Sequence, residues 1–197
     1  MNLDAIVEAV GEEVRRPNKQ SAIIRAVRAT IISAHSFECF AQDLVEDVVE
    51  LSATSNTMKV PLPPRFRYLQ SVAPLTKYGV IMNISTNTNH YEIVSPQDIV
   101  TEAGNDLYDI VYIAGNSMVL RSTVVPEKLG VSYYQVPDVS LGTLETWLMA
   151  SYPETIINGA LSRFYRSERQ QEVAREFEAM YLQDLQGITN MGIAANG

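Results

Sequence analysis

The residues of this chain with most chemistry to offer are two histidines, one cysteine and a scatter of carboxylates, and their spacing assembles no reaction. His35 and His90 lie in different segments, and neither completes a metal-ligand pattern with cysteine or carboxylate, so no zinc site is expected. Gly104, Gly115 and Gly130 stand alone as turn residues, without the Walker A or dinucleotide-binding glycine pattern around them. There is no G-x-S-x-G elbow and no Ser–His–Asp set beyond chance. Asp98, Glu102, Asp106 and Asp109 lack the alternating ligands and central glycine of a calcium loop and read as a polar loop. Tyr91, Tyr108, Tyr112, Tyr133 and Tyr134 have too few basic neighbours to stack nucleic-acid bases, and read as sheet and interface packing. Cys39 is the only cysteine, so it closes no internal disulfide, which fits a reducing cytoplasm. Beside Phe37 and Phe40 it reads as a small core hydrophobe. The expectation is a protein that is not an enzyme and carries no cofactor or metal.

The charge points the same way. The net charge is −8, and an acidic surface repels phosphates in bulk solution. This argues against a sequence-reading DNA-binding protein but not against one past which DNA slides without being held. Asp43, Glu46, Asp47 and Glu50 form the most acidic stretch, and its plainest reading is a solvated face. With 197 residues, 46% of them hydrophobic, the chain can bury one good core or two packed subdomains. No apolar run approaches ~20 residues, so no membrane span is expected. Met1-Asn2-Leu3-Asp4 has neither the basic region nor the apolar stretch of a signal peptide.

The elements that must position these residues follow from periodicity. Leu3, Ile6, Val7, Val10 and Val14 make one helical stripe over about 3–15, which Pro17 ends. Asn18 can cap a second helix running to about His35, with Ile23, Ile24, Val27, Ile31 and Ile32 on its buried face. Residues 37–52 fit either period, and their β-branched valines favour a strand. From about 53 to 140 the signals are short strands. Phe66–Val72, Tyr78–Ile84, Tyr108–Ala114, Met118–Arg121 and Val131–Val136 are strand candidates, and Gly115-Asn116 is a hairpin turn. Ser95-Pro96-Gln97-Asp98 opens one short helix. Helical structure returns at about Leu144, anchored by Trp147 and Leu148. Ser151 with Glu154 and Ser167 with Gln170 read as two capping boxes. Ile156, Ile157, Ala160, Leu161 and Phe164 mark one buried stripe; Val173, Phe177, Met180, Tyr181 and Leu185 mark the other, with Gly187 as its cap. Residues 188–197 carry no charged side chain and read as an extended tail.

The order of these parts, with its spacing, carries a resemblance. Ser151-Tyr152-Pro153-Glu154, then Asn158-Gly159-Ala160-Leu161, Ser167-Glu168-Arg169 and Phe177-Glu178-Ala179 follow one another across the C-terminal helices. Leu62-Pro63-Pro64-Arg65-Phe66 and Val94-Ser95-Pro96-Gln97-Asp98 lie in the centre. Over about residues 3–187 this resembles the head–tail adaptor (connector) proteins of tailed bacteriophages, the group that includes the tail tubular protein A of T7-like podoviruses. The Ser162-Arg163 pair departs from the acidic or apolar residues usual after Gly-Ala-Leu in that group. None of the shared motifs is chemical; they are packing and capping signals.

The resemblance places a strand at about 44–52 and fits the α+β subunit that the alternation of helical and strand periods predicts. Residues 1–40 and 144–187 would form a helical bundle, 41–143 an inserted antiparallel β subdomain, and 188–197 the tail. It also implies a homo-oligomeric ring, a dodecamer, in the virion neck. Such a ring binds the portal on one side and a tail tube, nozzle or tail-completion protein on the other, and DNA passes through without sequence-specific binding. The subunit would wait in the host cytoplasm before assembly and would meet no membrane. In that setting Ile188, Met191 and Ile193 are the portal- and neighbour-contact candidates, and Asp43, Glu46, Asp47 and Glu50 the channel-lining candidates. Two other classes compete: another neck or tail component, such as a tail terminator or tube protein, and a soluble enzyme whose site one sequence does not reveal.

Overall fold

A computed structural model describes residues 1–51, 55–82, 84, 89–101, 108–140 and 144–196. In chain order they form α1 (Leu3–Val14), a 3-10 turn (Pro17–Lys19), α2 (Gln20–His35), β1 (Leu44–Glu50), β2 (Thr57–Pro61), β3 (Phe66–Leu75) and β4 (Glu92–Ile93). There follow α3 (Pro96–Thr101), β5 (Ile110–Ala114), β6 (Ser117–Arg121), β7 (Lys128–Gln135), α4 (Trp147–Ser151), α5 (Pro153–Ser167) and α6 (Gln171–Asn196). The fold is α+β. It divides into two compact units, residues 1–43 with 136–197, and residues 44–135.

The first unit is helical. Asn2 starts α1 by accepting a hydrogen bond from the Ala5 N–H at 2.9 Å, and Arg15 stops it in a left-handed conformation. The predicted stripe Leu3, Ile6, Val10 and Val14 is buried. On α2 the buried face is Ile23, Ala26, Val27, Thr30, Ile31 and Ala34; Ile32, expected there, is 40% exposed. α5 packs against α1, α2 and α6. The Gly-Ala-Leu motif now has a physical reason. A Cβ at Gly159 would lie 2.5 Å from Thr30 Cγ2 and 2.8 Å from Tyr181 Cδ2, so α2, α5 and α6 meet at a point that admits no side chain.

Several local expectations differ from the structure in this unit. Ser151 does not cap α5; it ends α4, whose cap is Thr146, accepting from the Met149 N–H at 3.3 Å. Tyr152 precedes Pro153, which keeps it out of the helical region, and proline supplies the first turn of α5. Ser167 likewise closes a helix, its hydroxyl donating to the Phe164 carbonyl at 2.7 Å. The chain then reverses at Arg169, φ 64°. Gly187 is no cap, and residues 188–196 are not extended: α6 runs on to Asn196, because Leu185 and Ile188 join the core and carry the helix past its expected end. Met180 is 41% exposed, and Ala174 takes its place inside. Cys39 is exposed, while Phe40 beside it is buried.

The second unit holds two sheets around one core. One has the order β1-β7-β3, the other β2-β6-β5-β4. Pairing is antiparallel except for β4 with β5, which run parallel with α3 between them in sequence. That departs from the wholly antiparallel expectation; a helix placed between two strands allows the crossover a parallel pair needs. The Ser95 start of α3 is as expected, with Ser95 Oγ accepting from the Gln97 N–H at 3.2 Å and Asp98 Oδ2 from the Ser95 N–H at 3.3 Å. Gly115, φ 61°, turns the β5–β6 hairpin. The strand expected over 78–84 is absent from the described part of that stretch. Gly79, φ 78°, reverses the chain instead, and Ile81 makes a single bridge to Leu75. The turn leaves Tyr78 80% exposed.

Candidate functional site

The four acidic candidates do not share one surface. Asp43 belongs to the first unit and is buried. Its carboxylate lies 2.8 Å and 2.9 Å from His35 Nδ1 and accepts the Trp147 Nε1–H at 2.8 Å. With the carboxylate as acceptor, Nδ1 carries the proton on His35. Trp147 packs edge-on to His35 and to Phe40, at 5.9 Å and 5.1 Å between ring centres. Asp43 therefore leaves the set of solvent-facing carboxylates. The other three lie on β1, where side chains alternate between faces. The pairing register puts Glu46 opposite Ser132 and Glu50 opposite Lys128, and Asp47 opposite Val131 on the other face. Asp47 shares the face of Tyr133, whose phenol is pushed up by burial and then by the Asp47 charge.

Glu46 and Glu50 thus stand on the open face of the first sheet. Val48, 53% exposed, lies between them. Ser71, Ala73 and Gly130 carry too little side chain to fill this face, which holds a groove of about 570 Å³ edged by Ile81 and His90. Lys128 pairs with Glu50 at 2.9 Å. β1 is also an edge of its sheet, and its exposed carboxylates guard that edge against uncontrolled pairing.

The C-terminal contact candidates also separate. Ile188 is 6% exposed and belongs to the helical core, Met191 is 54% exposed, and the side chain of Ile193 lies outside the described residues. Of the carboxylates considered as a calcium loop, Asp98 caps α3 and Asp109 accepts from the Thr123 N–H and hydroxyl at 2.8 Å. Glu102 and Asp106 lie outside the described residues.

Sequence reasoning missed the charged groups that matter most to the helical unit. Glu168 ties the 3-10 turn to the α5–α6 connection, accepting from Arg16 and Lys19 at 2.9 Å each. The Lys19 hydrogen bond, more than the charges of Lys19 and Arg16, holds its carboxyl below the usual range. The His35–Asp43–Trp147 cluster was equally invisible, since 104 residues separate Asp43 from Trp147. It has the members of a general-base pair. At 1% and 6% side-chain exposure, however, neither partner can meet a substrate in this structure, so the arrangement locks the α2 end to the α4 start. Among the described residues no group of three His, Cys, Asp or Glu side chains could hold a metal ion, and no helix is long and apolar enough to cross a membrane.

What the geometry offers is surface: a grooved acidic sheet face, an exposed turn and charged helix faces. No curated protein matches the chain. The family model of the SU10 adaptor proteins matches residues 1–196. The chain belongs to the SU10 adaptor protein family, phage head–tail adaptors with a structural role in the virion neck.

Proposed function

We propose that the chain forms a homo-oligomeric ring, a dodecamer, that joins the portal to the tail and lets DNA through without gripping it. The observation that carries this reading is the adaptor-family match over nearly the whole chain. A ring subunit must offer different surfaces to its two neighbours, since heterologous contacts that close on rotation give rings. The acid balance suits a passage. Twelve copies at −8 carry about −96 before screening. A basic wall would release counterions and hold the phosphates, whereas an acidic wall does not. Glu46 and Glu50, exposed on one face of β1, support the reading as channel-lining candidates, with Asp47 exposed at the other face of the strand. At the C-terminal end the portal or neighbour contact passes from the buried Ile188 to Met191 and to Ile193 beyond it. A tail tube, nozzle or tail-completion protein would meet the other side. The narrower likeness to the T7-like tail tubular protein A is part of this proposal.

The test is to mix the purified chain with its portal and image the assembly. A ring seated on the portal, with Glu46 and Glu50 towards the lumen, is the expected result. Binding to tail tube but not portal would make the chain another tail component. A lumen lined by Arg15, Arg16, Arg163 and Arg166 would refute the sliding wall while leaving the adaptor role in place. A chain lacking 189–197 keeps Ile188 and should fold, yet bind the portal more weakly.

A further inference from the structure

We infer that the arginine groove between α2 and α5 receives helix α1 of a second copy of this chain. The inference rests on the ring proposed above and names one of its contacts. The groove, of about 370 Å³, has Ala22, Ala26 and Ala29 of α2 on one side and Arg163 and Arg166 of α5 on the other, with Arg25 at its margin. All three arginines are exposed. Arg166 shares its charge with Glu178 at 2.6 Å; Arg25 and Arg163 have no ion pair among the described residues. In a chain of net charge −8, so many cations around one alanine-sided groove mark a site for an acidic segment.

The chain carries such a segment on another flank of the same unit. Asp4, Glu8 and Glu12 of α1 are exposed and recur every fourth residue. At ~1.5 Å rise per residue they form a straight row with steps of about 6 Å. None of them has an ion pair among the described residues. Arg163 and Arg166, about 4.5 Å apart along their axis, offer a similar repeat. Beside the row, Val7 is half-buried, and at Gly11 nothing lies within 4 Å of where a Cβ would stand. The row, Val7 and Gly11 line an open groove of about 760 Å³ together with Gln20, Ile24 and Arg28 of α2, so this side of α1 is accessible to a neighbour. On α2 the residues that border α1 (Gln20, Ile24, Arg28) and those that side the groove (Ala22, Ala26, Ala29) occupy different sides of the helix. Donor and acceptor surfaces are thus distinct, and the contact runs head to tail, as a ring requires. Its complementarity lies in charge, so it fixes register and partner and weakens with salt.

The experiment is a charge exchange read by mass photometry and analytical ultracentrifugation, with circular dichroism to verify folding. One chain carries Asp4→Arg, Glu8→Arg and Glu12→Arg; the other carries Arg25→Glu, Arg163→Glu and Arg166→Glu. Three reversals each change the charge by six, giving net −2 and −14, so the two variants have no gross attraction for one another. Each alone should remain monomeric under conditions where the unaltered chain assembles. Their equimolar mixture should assemble again, since each then finds an opposite partner in the other, and 1 M salt should disperse it. Assembly by either variant alone, or a mixture that stays monomeric, overturns the contact. If the unaltered chain forms no oligomer either alone or on its portal, the ring itself fails along with this contact. A ring that persists in both variants leaves the ring standing and removes only the α1 contact.

Discussion

Adding one methyl group at Gly159 tests how the helical unit is held together. In an unobstructed helix, Gly→Ala stabilises by about 1 kcal/mol, because alanine loses less conformational freedom on folding. At Gly159 the new Cβ would sit 2.5 Å from Thr30 Cγ2, 2.8 Å from Tyr181 Cδ2 and 2.9 Å from Tyr181 Cε2, all closer than carbon atoms approach. Neither neighbour gives way easily. Thr30 is β-branched, fully buried, and tied to the Ala26 carbonyl at 2.9 Å, while Tyr181 is a buried ring. Overpacking costs about 1–3 kcal/mol, and contact on two sides argues for the upper end. The net effect of Gly159→Ala is a loss of roughly 2 kcal/mol, or about 4–8 °C in Tm for a chain of this size. Gly11→Ala is the control: it lies on α1 with nothing within 4 Å of its Cβ position and should raise stability by about 1 kcal/mol. Urea titration followed by circular dichroism at 222 nm gives both numbers. Thr30→Ser removes the nearer of the two obstructions and keeps the hydroxyl, so the double variant should lose less than the sum of the single losses. A Gly159→Ala chain at least as stable as the unaltered one would refute the three-helix contact.

Trp147→Phe keeps an aromatic ring but deletes the Nε1–H donated to Asp43 and part of the packed indole, and should cost at least the ~1–3 kcal/mol of the lost hydrogen bond in urea; Asp43→Ala, which takes the carboxylate from both His35 and Trp147, should also destabilise. Because the Glu168 carboxyl is held below its ordinary value of 4.5, its contribution is fully present above that value and is lost as the pH falls through the lower, folded value. Urea midpoints of the unaltered chain and of Glu168→Gln should therefore differ at neutral pH and converge in acid below about 4.5. Cys39, being exposed, should react with Ellman's reagent in the folded protein, one thiol per chain and without denaturant; a reaction that waits for unfolding would contradict its placement.

The sequence alone determined the features set by local periodicity and covalent restriction. The helical stripe of α1, the Gly115-Asn116 hairpin and the Ser95-Pro96 helix start all follow from side-chain spacing or the conformational demands of glycine and proline, whereas residues 37–52 fit either period and the family resemblance places their strand. The ordered motifs of the C-terminal helices carried the adaptor family as well. Where residues of the right type had two local uses, only tertiary structure decided. Ser151 and Ser167 are good helix starters in isolation, yet both end helices, because Pro153 and the reversal at Arg169 set the boundaries. Residues 188–196 have little helical signal of their own, but burial of Leu185 and Ile188 extends α6 through them. The acidic run 43–50 reads as one patch because its members are neighbours in sequence. The fold separates it: Asp43 is drawn inward by His35 and Trp147, and strand alternation sets Glu46 and Glu50 on one face and Asp47 on the other. Period and turn chemistry are local and legible in a single chain, whereas burial and face depend on partners 8, 104 or 152 residues away, as for Asp43 with His35 and with Trp147, and Glu168 with Arg16.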